Sequence, residues 1–183
     1  MDRRVVLGLV IVGLLGTAGI LGFSAMNDAG EPTYTPDSLA GYERTANITG
    51  AEAAGIISEL HRQPSAVAGF ERAIVAAYGE GDGEDAPITV YASVHATEAD
   101  AAANITRMVE AMDRSPALVV ENTTVEGQTV YTVEGNGVVF AFFNYRETAY
   151  WVTHTEAVDA ETTDIVAEIV TTNRESRGVL PFF

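Results

Sequence analysis

The residues from Val5 to Phe23 read VVLGLVIVGLLGTAGILGF, nineteen in succession without a charge. A helix of that length rises about 28 Å, close to the hydrocarbon thickness of a bilayer. The run has no polar face, which a helix packed on the surface of a globular core would need. Arg3 and Arg4 stand immediately before it, and positive charge flanking a span stays on the cytoplasmic side. The expected order is a cytoplasmic amino terminus (1–4), a transmembrane helix (5–23) and a linker (24–37) containing Gly30, Pro32 and Pro36. An extracytoplasmic domain (38–176) and a short tail (177–183) follow.

A second reading shares that orientation. Phe23-Ser24-Ala25-Met26 offers small residues at which a signal peptide could be cut, and Arg3-Arg4-Val5-Val6-Leu7 resembles a twin-arginine export signal. The apolar run exceeds the roughly 7–15 residues of a signal core, which favours a retained anchor.

The chain carries 26 acidic and 10 basic residues, a formal charge of -16, and every basic residue is arginine. With no cysteine there is no disulfide framework, thiolate metal site or cysteine nucleophile. An acidic exterior is also a poor partner for nucleic acid. Excess acid with arginine as sole base resembles the proteins of salt-loving archaea; the alternative is an ordinary acidic protein that lacks lysine. Screening gives the resemblance its physical sense. The Debye length falls to about 3 Å at 1 M salt, so self-repulsion is largely cancelled while carboxylates keep the surface hydrated.

Beyond the linker, helical and strand-like periodicities alternate. Thr49-Gly50-Ala51-Glu52 fits a capping box, followed by Ala53, Ile56, Ile57 and Leu60 at helical spacing until Pro64. A second helix starts at Thr97-Glu98-Ala99-Asp100 and places Ala101, Ile105, Met108, Val109 and Met112 in one stripe. A third is expected over Val158 to Asn173, with Ile165, Val166, Ile169 and Val170 on its apolar side. Ile88, Val90, Ala92 and Val94 alternate with Thr89, Tyr91, Ser93 and His95, the period of a half-buried strand. Further strands are expected over 72–78, 117–125, 128–134, 137–145 and 148–155, with breaks at Glu126-Gly127 and Gly135-Asn136-Gly137.

Together these predict an α+β domain: a curled antiparallel sheet of about six or seven strands covered by three helices. The element order, and Leu39-Ala40-Gly41-Tyr42-Glu43-Arg44 as a first strand, resemble small prokaryotic extracytoplasmic domains of unknown function. The resemblance covers about 140 residues and implies no activity.

Candidate sites are sparse. Glu80, Asp82, Glu84 and Asp85 stand on a glycine-rich loop and could gather oxygens around Ca²⁺ or Mg²⁺, although their spacing departs from the EF-hand pattern. The other reading is a solvated acidic connection. The histidines are His61, His95 and His154, without an H-E-x-x-H motif, and no serine lies in G-x-S-x-G. Tyr91, Ser93 and His95 share a strand face; if registers agree, Tyr131, Tyr145, Tyr150 and His154 join them as a groove for a peptide, glycan or small ligand. Packing beneath a helix is the other use of such a face. Asn47, Asn104 and Asn122 head N-x-[ST] sequons.

The function expected is a non-catalytic binding or structural role in the cell envelope, with no cofactor and with an envelope protein or small ligand as partner. The alternatives are an exported hydrolase or metal-dependent enzyme using His95, His154 and the acidic loop, and an accessory subunit of a membrane complex. One outcome follows from the charge. The thermal unfolding midpoint should rise steadily between ~0.1 M and ~2 M NaCl; a level midpoint would remove the halophilic reading.

Overall fold

The computed structural model describes residues 34–61, 70–80, 86–115 and 118–178. The expected amino terminus, membrane span and most of the linker (1–33), and residues 179–183 of the tail, lie outside them. Among the described residues no helix is long and apolar enough to cross a membrane.

The domain is α+β, an open antiparallel sheet of eight strands with three helices. The strands are β1 (Ser38–Leu39), β2 (Tyr42–Thr49), β3 (Phe70–Gly79), β4 (Ile88–His95), β5 (Val120–Val125), β6 (Gln128–Gly135), β7 (Val138–Tyr145) and β8 (Thr148–Thr155). The helices are α1 (Gly50–His61), α2 (Glu98–Asp113) and α3 (Thr162–Gly178). The strand count exceeds expectation because Leu39–Arg44 is not one strand. Ala40 and Gly41 take positive φ, +53° and +84°, and fold that stretch into a hairpin of β1 on β2. The third helix also runs later than expected, so Arg177 and Gly178 close it rather than begin a tail.

The sheet order is β1-β2-β3-β4-β8-β7-β6-β5. After β4 the chain crosses through α2 to the far edge and returns by three successive hairpins, which brings β8 against β4. Two of those hairpins close on adjacent positive-φ residues, Glu126-Gly127 and Asn136-Gly137, whose twist matches that of the paired strands. Thr97 caps α2: its hydroxyl oxygen accepts from the Asp100 amide at 3.1 Å and lies 2.7 Å from the Asp100 carboxylate.

Helices cover both faces of the sheet. Ile165, Val166, Ile169 and Val170 of α3 share one core with Ile74, Tyr78, Val90, Phe143, Tyr150 and Val152. Ala53 and Ile57 of α1, with Ala101, Ile105 and Met108 of α2, share the other with Val75, Tyr91, Phe142 and Trp151. The alternation along β4 therefore does not separate core from solvent: all eight of its residues are buried. The same holds for β8 as far as His154.

Under α3 the core is partly polar. The Tyr150 hydroxyl lies 3.0 Å from Asn173 Oδ1 and 3.1 Å from the Tyr34 carbonyl, and its single proton serves one at a time. Asn173 Nδ2 donates to the carbonyls of Ile169 at 2.8 Å and Tyr34 at 3.2 Å. Burial pushes the Tyr150 hydroxyl far above the ordinary tyrosine range, so it stays protonated. These bonds pin the start of the described chain to the last helix. In chemical denaturation at high salt, Ile169→Ala should cost about 2–5 kcal/mol through an unfilled cavity. Tyr150→Phe should cost about 1–3 kcal/mol through buried groups left with fewer partners. Near-wild-type stability for Ile169→Ala would mean that α3 does not seal this core.

Candidate functional site

The polar side chains of β4 with chemical potential are Ser93 and His95, two residues apart and therefore on one face, the face that α1 and α2 cover. Ser93 Oγ lies 3.1 Å from His95 Nε2. Asn104, on α2, places Nδ2 3.2 Å from the same ring nitrogen. An amide N–H can only donate, so Nε2 accepts and the ring is the neutral tautomer protonated at Nδ1. Burial lowers the His95 pKa; Arg107 acts in the same direction, and Asp100 opposes both. The charge-neutral ring and the hydrogen bonds agree.

Beside this trio lies a cavity of about 10 Å³, lined by Ile57, Tyr91, Ser93, Asn104, Met108 and Trp151 among others. That is room for about one water molecule. Ser93 and His95 have the separation of a nucleophile and its base. Yet the base has no third group orienting Nδ1 among the bonds described, and no acyl or phosphoryl group would fit. The trio holds α2 onto the sheet. Asn104 Oδ1 is buried and accepts no hydrogen bond, which leaves the cluster one bond short.

The remaining candidates separate. Register joins Tyr91 to Trp151, Trp151 to Phe142 and Phe142 to Tyr131, so Tyr91, His95 and Tyr131 do share a face. Tyr91 and Trp151 have ring centroids 5.2 Å apart, and Phe142 and Trp151 5.7 Å apart. This row is no open groove, because α1 and α2 fill the space above it. Burial pushes the Tyr91 hydroxyl up to about 12.

His154 is a correction to the expected groove. It pairs with Ile88 and Val139, on the opposite face, together with Tyr145 and Tyr150. Its Nδ1 donates to the Thr155 carbonyl at 3.1 Å, and its Nε2 lies 2.9 Å from the Thr162 hydroxyl, which ties β8 to the first turn of α3. A metal or catalytic centre combining His95 with His154 is therefore not assembled: the sheet stands between them.

Glu80 is exposed just after β3, whereas Asp82, Glu84 and Asp85 lie outside the described residues. Among the described residues no three His, Asp or Glu side chains converge as metal ligands. The sequons also divide. Asn122 is exposed on β5, Asn47 is half-buried on β2, and Asn104 is 1% exposed. Asn104's burial could have been read from the sequence, since it sits three residues after Ala101 and four before Met108, inside the apolar stripe. Asn173 sits at the same spacing, three residues after Val170 and four after Ile169, but nothing in the sequence pointed to Tyr34 as its partner. Their bonds span 139 residues, a separation without local periodicity.

No protein-family model matches this sequence, and no curated protein matches it significantly.

The depressed His95 pKa has a sign that can be tested. In the unfolded chain the imidazole titrates near 6.5. Below that pH the unfolded state takes up a proton that the folded state resists, so stability falls as pH drops and the loss ends beneath the folded pKa. Urea titrations should show wild type losing stability relative to His95→Gln over that window. A constant difference between the two proteins would mean that His95 carries its proton in the folded state as readily as in the unfolded one.

Proposed function

We propose that this chain is a single-pass membrane protein whose acidic α+β domain lies outside the cell and serves a non-catalytic binding or structural role in the envelope of a salt-adapted prokaryote. One observation carries the reading: the nineteen uncharged residues from Val5 to Phe23, directly behind Arg3 and Arg4. The charge balance supports a compartment of high ionic strength, where 26 carboxylates hydrate the surface without straining the fold. The site chemistry supports a role other than catalysis. The buried histidines, Asn104, Asn173 and Tyr150 are occupied in fastening helices to the sheet, and the cavity beside Ser93 admits nothing larger than about one water molecule.

Orientation and anchoring can be read in one experiment. A carboxyl-terminal tag on the full chain should be removed by protease added to intact cells, while the untreated protein stays with the membrane pellet after alkaline carbonate washing. A tag protected until lysis would overturn the orientation. A protein released by carbonate with the first 25 residues missing from its mass would replace the anchor by a cleaved export signal.

A further inference from the structure

We propose that Asn122 is the acceptor of an N-linked glycan on this chain, selected from three sequons by the fold. The inference rests on the outward orientation proposed above, because sugar transfer to asparagine takes place on that side of the membrane.

The sequence by itself does not separate Asn47-Ile48-Thr49, Asn104-Ile105-Thr106 and Asn122-Thr123-Thr124. Tertiary structure does. The Asn104 amide nitrogen, the atom that would carry the sugar, sits inside the α2–sheet interface and donates to His95 Nε2. A glycan there could not coexist with a docked α2. Asn47 is half-buried within β2, and its amide oxygen is closed off from solvent. Asn122 differs in every respect. It stands mid-way along β5, its own side chain and those of Glu121, Thr123 and Thr124 are all exposed, and β5 is the last strand in the sheet order. One side of β5 pairs with β6, where Asn122 lies opposite Tyr131; the other side has no neighbouring strand among the described residues. Asn122 and Thr124 project from the same face of the strand, so the amide and the hydroxyl of this sequon are presented together.

The transfer is a substitution at carbon. Asn122 Nδ2 attacks the anomeric carbon of a lipid-phosphate-linked oligosaccharide, and the bond from that carbon to the phosphate oxygen breaks. The lipid phosphate leaves with the bonding electrons, and the amide nitrogen gives up one of its two protons. No oxidant or reductant is involved.

The test is the intact mass and glycopeptide map of the full, tagged chain purified from membranes of a host that N-glycosylates its exported proteins. Wild type should exceed its sequence mass by one glycan located within residues 121–125. Asn122→Gln and Thr124→Ala should both abolish the increment, and Thr124→Ser should keep it, although each alters an exposed side chain without effect on the core. Asn47→Gln should leave the increment in place. So should Thr106→Ala, which destroys the Asn104 sequon while keeping the Asn104 amide on His95. A glycan that survives Asn122→Gln would overturn the assignment. So would an unmodified 121–125 peptide in protein whose tag is cut by protease on intact cells, and that result leaves the topology standing. An unmodified peptide together with a protected tag would remove both.

Discussion

The antiparallel pairing of β4 with β8 is the constraint on which the rest of this domain depends. These strands are distant in sequence, and Tyr91 meets Trp151 across them while Val90 meets Val152 on the reverse face. Both strands are buried from both sides, so the pair feeds two cores at once. Helices must then lie above and below the sheet. Neither helical layer can be removed without exposing apolar surface that the central strands cannot hide by twisting.

Two buried histidines serve that arrangement from opposite faces. His95 accepts from Asn104 and holds α2; His154 bridges Thr155 and Thr162 and holds the first turn of α3. In each case the ring is held by neighbours within the protein, His95 at Nε2 and His154 at both ring nitrogens. The same holds for Tyr150 and Asn173 beneath α3. Buried polar groups of this kind give a helix one seat rather than several, because a shifted helix would leave them without partners at about 1–3 kcal/mol each. Asn104 Oδ1 departs from this pattern, buried and without a bond, as do the hydroxyls of Thr89 and Thr148.

Much of the architecture was legible residue by residue. Ala101, Ile105 and Met108 announce the stripe of α2, and Glu126-Gly127 and Asn136-Gly137 announce hairpins, because helical period and positive-φ turns are local properties. The misplaced features were one tight turn, despite the local signal of Gly41, and a grouping of side chains that depends on long-range register. Leu39–Arg44 reads as one strand until Ala40 takes φ of +53°, a conformation that nothing in its side chain favours. Tyr91, His95, Tyr131 and His154 could be grouped only on the condition that registers agree. Register put three on one face and His154 on the other, since a one-residue offset reverses every side chain of a strand.

What the sequence determined by itself is an uncharged run of nineteen residues behind two arginines and a marked excess of acid, the features on which the proposed anchoring and salty surroundings rest. Those properties are sums over residues, so no fold is needed to read them. The tertiary structure decided which polar residues are accessible. It buried Asn104 and Ser93 under α2, parted His95 from His154, and left Asn122 on an open edge. Accessibility depends on what long-range pairing brings alongside a residue, and the β4–β8 ladder that settles it joins segments roughly 60 residues apart, beyond the reach of any local pattern.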